Sequence, residues 1–269
     1  MLIGCCMNLL AEGNDRIGIN RVEMIAGLGY DYIELPMVPM MTLSGKEFDA
    51  LCDRVKRAGI PCRSCSNLLP PDVRVTGPDV DYEKVRAYLE KATSRARKLG
   101  ASVIVFGSPA ARDVIGDFPR EIAMIQFIKA LQIMDEYTDD NLSFVIEHVG
   151  KLEGNLVYTV KEGCMVHEVC RTKHIGVLAD TYHMAVESEP VENIALAGSN
   201  LLHVHTANPK GRIYPAHNDG VNYKKISQVI NLIPQCQNAY GGFVSLRPGM
   251  YAFGEGEACF SEFAYRGIK

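Results

Sequence analysis

Four largely apolar runs constrain this chain most: SVIVFG, SFVIE, IGVLAD and LLHVH, each ended by a glycine or a polar residue. Strands buried on both faces read as continuous apolar runs, and such strands belong to parallel sheets covered by helices. Helical patterns separate them. Tyr82 to Leu99 carries Val85, Tyr88, Leu89, Ala92 and Leu99 on one face and stops at Gly100. Further helices are expected over Ile19–Leu28, Thr42–Arg57, Pro119–Tyr137, Val157–Cys170, Glu192–Ala197 and Tyr223–Leu232, with a last one beginning at Ala258–Phe263. The remaining strands are LIGCCMNLL, YDYIELP, IPCRSCSNLL and GGFVSLRP, and the sixth is read as IGVLADTYHM.

Eight strand–helix alternations, with no Pro/Ser linker between them, predict an α/β chain folded as one (β/α)8 TIM barrel over residues 1–269. A barrel of about 250 residues needs no second domain. An open doubly wound sheet is the competing fold. It usually carries a Gly-rich phosphate turn after its first strand, and none is present here.

Composition excludes several classes. A net charge of -4 gives no basic footprint for nucleic acid. No apolar run approaches the roughly 20 residues that span a bilayer. MLIGCCMNLL lacks a basic leader and a cleavage pattern, which points to the cytoplasm. The nine cysteines lie mostly inside predicted elements, as free thiols do in a reducing compartment. Cys62 and Cys65 have C-x-x-C spacing, but without a second pair they read as core thiols rather than a redox or zinc motif.

In such a barrel the reactive groups stand at the C-terminal strand ends. Those ends carry Glu34, then Ser66 and Asn67, then Gly107 and Ser108, then Glu147, Asp180, His205 and Arg247. Neighbouring strands are about 4.8 Å apart, so Glu147, Asp180 and His205 can converge. Two carboxylates and an imidazole suit Mn²⁺, Mg²⁺, Co²⁺ or Zn²⁺. Glu34 and Ser108 are candidate contacts to a small substrate at the same rim. His203 and His205 face one side of the sheet, one deeper than the other. Asp180 has a second reading as a helix cap.

The stretches NLLPPDVRVTGPDVD, VIVFGSPAAR, IEHVGKLEGN, LADTYHM and HVHTANPKGRIYP resemble the xylose-isomerase-like barrel superfamily of sugar isomerases and epimerases. Within it they are similar to ketose 3-epimerases of the tagatose or psicose type. The resemblance implies that Glu147, Asp180 and His205 match three of four metal ligands, and that Glu147 is one of two acid/base carboxylates. It also implies that Glu153, His183 and Arg212 contact substrate hydroxyls or the carbonyl. The implied ligand is a sugar or polyol and the implied chemistry is proton transfer next to a carbonyl through an enediolate. Exposed faces on the outer helices leave a homo-oligomer open.

One position departs from that pattern. The family's eighth strand ends on a glutamate, the fourth ligand and second acid/base, whereas VSLRP has Arg247. Guanidinium is no metal ligand, and at about 5 Å and an effective dielectric near 20 even one unit charge pair is worth roughly 3 kcal/mol. Three arrangements follow. Glu255 or Glu257 replaces the missing carboxylate; three ligands suffice and Arg247 takes an anionic substrate group; or the metal is lost and Arg247 pairs with Glu147 and Asp180. The expectation is a metal-dependent isomerase or epimerase in which Glu147 and Arg247 are catalytic. A metal-free or non-catalytic sugar-binding homologue, or a lyase on a modified sugar, is the alternative.

Overall fold

The fold was obtained as a computed structural model that describes residues 2, 4–210, 220–233 and the backbone of 240–241. Eight strands form one sheet in sequence order: β1 (Gly4–Cys6), β2 (Tyr32–Pro36), β3 (Cys62–Ser66), β4 (Val103–Phe106), β5 (Ser143–Glu147), β6 (Ile175–Asp180), β7 (Leu201–His205) and β8 (Tyr240–Gly241). Every pairing is parallel. Between them lie α1 (Val22–Gly27), α2 (Met37–Met41), α3 (Gly45–Ala58), α4 (Tyr82–Leu99), α5 (Pro109–Arg112), α6 (Arg120–Asp135), α7 (Val160–Cys170), α8 (Thr181–Val186) and α9 (Tyr223–Asn231).

One contact proves that the sheet curls. His203 on β7 lies 2.9 Å from the Glu34 carboxylate on β2. In a flat sheet those strands would be five steps, roughly 24 Å, apart. Only a barrel brings them together.

Side-chain parity sorts the interior. Ile104 and Phe106 pack outward into the core beneath the helices, as do Phe144 and Ile146, while Val103, Val105, Val145 and Leu178 cluster inside the barrel. Glu147 and Asp180 share the parity of Val145 and Leu178, so the pleat turns both inward. On β7 a register shift opposite Val177/Leu178 pairs Leu178 with His203 and Asp180 with His205. That bulge aims both imidazoles into the same interior.

Local chemistry fixes the helix ends. Ser44 and Glu47 form a capping box at α3. Asp81 accepts from Glu83 and Lys84 N–H at the start of α4, and Gly100 ends it with φ of 82°. Three differences from expectation concern element ends. The first strand stops at Cys6 and turns into a 3₁₀ segment, Met7–Leu10, rather than running on. The helix expected from Ile19 begins as 3₁₀ turn, where Asp15 accepts N–H bonds from Ile17, Gly18 and Asn20. The sixth strand ends at Asp180, and Thr181 to Met184 of the expected strand form the first turn of α8.

The cysteine pair is inert. Cys62 Sγ donates to the Ser64 carbonyl at 3.3 Å, and the bond to Cys62 together with burial pushes the Cys65 thiol well above its ordinary pKa. A reactive thiol needs the opposite shift. Among the described residues no helix is long and apolar enough to cross a membrane. The eighth strand beyond Gly241 and the helix expected at Ala258–Phe263 lie outside the described residues.

Candidate active site

Glu147, Asp180 and His205 end three consecutive strands, and one donor atom from each lies within 4.8 Å of the others. His205 Nδ1 is 3.0 Å from Glu147 Oε1. Its Nε2 is 3.0 Å from Glu34 Oε1, so the ring bridges two carboxylates. Burial opposes charge on all three groups, yet their mutual attraction wins. Glu34 is held well below the usual carboxylate range by His205 and His203, and Glu147 is lowered by its bond to His205. His205 is correspondingly held well above the ordinary histidine range by Glu34 and Glu147. Carboxylate, carboxylate and imidazole, buried and converging, fit a divalent ion; binding would displace the Nδ1 proton of His205.

Supporting groups hold each member in place. Asp180 Oδ1 caps α8 by accepting from Tyr182 and His183 N–H, at 2.8 and 3.4 Å, while Oδ2 faces His183 Nε2 at 3.7 Å. The cap and the cluster are thus one residue. His148 Nε2 accepts the Asp180 N–H at 3.0 Å, and its Nδ1 lies 3.2 Å from the Tyr158 carbonyl. Those two bonds define a neutral ring with its proton on Nδ1. Arg112 is fully buried and donates to the Phe106 and Glu147 carbonyls at 3.0 and 2.6 Å. Burial lowers its pKa to about 10, which leaves it charged at neutral pH. Gly107 is required by close approach, since a Cβ there would stand 2.0 Å from Glu147 Oε2.

His148 carries a pH dependence. Burial lowers its pKa below the ordinary value, so its neutral form stabilises the fold fully above about pH 6.5. That contribution is lost as pH falls toward the depressed folded-state pKa. His205 acts in the opposite sense, stabilising at low pH and losing that contribution as pH rises through its raised pKa. Thermal melts between about pH 5 and 7 are expected to fall more steeply on the acid side for the natural chain than for His148→Gln. Equal slopes would remove His148 from this role.

The other expected site residues fall in distinct places. His183 is buried beside the cluster, and its Nδ1 accepts the Gly150 N–H at 3.2 Å. Glu153 is exposed on the loop after β5, tied back by its N–H to the Gly150 carbonyl. Ser108 lies just beyond β4, at the start of α5, with φ of 37°, and its Oγ accepts from Leu69 N–H at 3.0 Å. It lines a cleft of about 450 Å³ over the ends of β2, β3 and β4, with Pro36, Asn67 and Arg16. That cleft lies beside the cluster rather than on it. Glu34 sits one layer below the rim, 1 % exposed, its oxygens occupied by Cys6, Ser64, His203 and His205. Arg212, Arg247, Glu255 and Glu257 lie outside the described residues. Cys6 and His148 had no sequence signal beyond lying at or next to strand ends, and Arg112, at the end of α5, had none.

The fold and its rim define a parallel α/β barrel with a carboxylate–imidazole centre at the C-terminal strand ends. A family model described as xylose isomerase-like TIM barrel matches residues 22–235, and the chain belongs to that family. It is 25% identical over 230 residues to a D-psicose 3-epimerase of Agrobacterium fabrum, covering 77% of this chain and 74% of that protein. A D-psicose 3-epimerase of Ruminiclostridium cellulolyticum is 23% identical over 195 residues, covering 69% and 64%. Among solved structures, a D-psicose 3-epimerase crystallised with D-fructose superposes with a TM-score of 0.77 at 18% identity, covering 90% of this chain and 83% of that one.

Proposed function

We propose that the chain is a metal-dependent isomerase or epimerase that moves a proton next to the carbonyl of a ketose or related polyol. The observation that carries this reading is the convergence of Glu147, Asp180 and His205 at one buried point. The relatives named D-psicose 3-epimerase support the substrate class. Glu147, Asp180 and His205 would hold the ion, which when bound supplies a Lewis acid that offsets charge on the enediolate oxygens.

The rest is done by the chain. Glu147 is ionised and takes the proton from the carbon beside the carbonyl, then returns it. His183, fixed by Gly150, orients a substrate hydroxyl, joined by Glu153 and Arg212; Ser108 lines the approach. Glu34 acts through His205, fixing its tautomer and ring orientation as carboxylates commonly do behind metal-bound imidazoles. By the sequence resemblance Arg247 replaces the family's carboxylate, and we assign it the developing oxyanion or an anionic group of the substrate. That same residue favours a second reading, a sugar-binding homologue that has lost the proton transfer.

Two measurements test this. Protein purified without chelator is expected to hold about one divalent ion per chain by elemental analysis, and to exchange solvent deuterium into D-psicose or D-fructose. Metal found only in Arg247→Glu would mean that Arg247 has switched the centre off. Metal in neither protein would sink the ligand assignment. Metal without exchange would favour the binding homologue.

A further inference from the structure

Beneath the rim a second donor set shares His205 with the first. Cys6, the last residue of β1, and Glu34, in the middle of β2, are direct register partners on neighbouring strands. Donor atoms of Cys6, Glu34 and His205 lie within 4.8 Å of one another, and all three residues are buried. Cys6 Sγ is 3.4 Å from Glu34 Oε1, and His205 Nε2 is 3.0 Å from the same oxygen. With metal–sulfur bonds of about 2.3 Å and metal–nitrogen or –oxygen bonds near 2.1 Å, tetrahedral donors stand roughly 3.3–3.8 Å apart. The three side chains therefore approach the spacing of a small tetrahedral centre. No lysine or arginine stands against Glu34, which is met by a thiol, a hydroxyl and two imidazoles, so an ion would displace only protons of His205 and Cys6.

We propose that Cys6, Glu34 and His205 form a second metal position, selective for a thiophilic divalent ion such as Zn²⁺ or Cd²⁺, which competes with the rim ion for His205. Thiolate favours soft and borderline ions over Mg²⁺ and Mn²⁺, whereas the rim set offers only oxygen and nitrogen. The competition follows from the ring. His205 presents Nδ1 to Glu147 and Nε2 to Glu34. A neutral imidazole has one nitrogen to give, so an ion on Nε2 leaves a proton on Nδ1 facing Glu147. Thiophilic metal would then shut off the rim centre. The competition, though not the second position itself, rests on the proposed function above.

Cobalt(II) titration of the full chain, followed by absorption, separates the two positions. Cobalt on oxygen and nitrogen donors gives only weak visible bands, whereas a thiolate ligand adds an intense near-ultraviolet charge-transfer band. The band is expected in the natural chain, lost in Cys6→Ser and retained in Asp180→Asn, where the amide preserves the α8 cap. Zinc should also inhibit deuterium exchange, with the inhibitory concentration raised at least about tenfold in Cys6→Ser. Bound cobalt without the band overturns this proposal and leaves the proposed function standing. A band that survives in Cys6→Ser places the thiolate elsewhere and overturns it too. A band without any exchange activity under any metal upholds the second position and removes the proposed function. Failure to bind cobalt at all removes both.

Discussion

Glu147→Gln is expected to lower deuterium exchange into D-psicose or D-fructose by about 10²–10⁴-fold, the usual worth of a positioned general base. Glutamine keeps the shape and can still accept a hydrogen bond from His205, so the loss isolates the charge. The position is suited to the role because two opposing effects act on it. Burial alone would raise its pKa, but the bond and charge of His205 bring it below the ordinary glutamate value. A carboxylate is therefore kept ionised in a dry setting, where it is poorly solvated. The variant also removes one of two anions flanking His205, so the pKa of His205 should fall. Exchange must be measured at saturating metal to separate base chemistry from weakened ion binding. Unchanged exchange in a folded, metal-loaded Glu147→Gln protein would move the base to another residue.

Arg112→Ala is expected to destabilise the fold by about 3–5 kcal/mol, among the largest effects of any single substitution outside the ligand set. The guanidinium is wedged between Phe106 and Phe127, with Cζ 5.8 and 5.5 Å from the ring centroids. It also satisfies the carbonyls that end β4 and β5. Truncation leaves those carbonyls without a donor, at about 1–3 kcal/mol each, and opens a cavity between two phenyl rings. The urea midpoint reports the loss at an unchanged slope. Arg112→Lys should recover part of it, because an ammonium reaches one carbonyl but lacks the fork that serves two. A shift below about 1 kcal/mol for the alanine variant would mean that water replaces the guanidinium, and that the β5 end is not anchored by it.

How much of this was legible follows from the range of each interaction. Apolar runs with helical patterns between them are local signals, and they led directly to an eight-stranded parallel barrel. The positions of Glu147, Asp180 and His205 at strand ends were legible for the same reason, since each closes a mostly apolar run. The overrun of the sixth strand into Tyr182, His183 and Met184 had a definite cause. Apolar content there suits a strand, but the Asp180 side chain captures the next N–H groups and starts a helix. Both readings of Asp180, cap and cluster member, hold at once. The layer beneath the rim was not legible. Glu34 meets His203 and His205 across 169 and 171 residues, and the bulge that aims β7 leaves no mark in LLHVH. Glu34 was therefore expected at the substrate, whereas burial puts it behind His205. Arg112 was read as part of a family motif, because nothing in PAAR announces that its charge turns inward.

The bond between Glu34 and His203 has a consequence for the order in which the protein is made. Joining residues 169 apart in sequence carries a high loop-closure cost that nearer pairings must already have met. During synthesis the first six strands can emerge and pair with their neighbours while Glu34 still lacks its imidazoles. Until β7 arrives, that carboxylate has only a thiol and a hydroxyl beside it, and the growing sheet has every reason to leave it facing water. Arrival of two histidines on one strand then draws the second strand and the seventh together. The two carboxylates that flank His205, Glu34 and Glu147, thus gain the imidazole they share in one event, before the eighth strand is added.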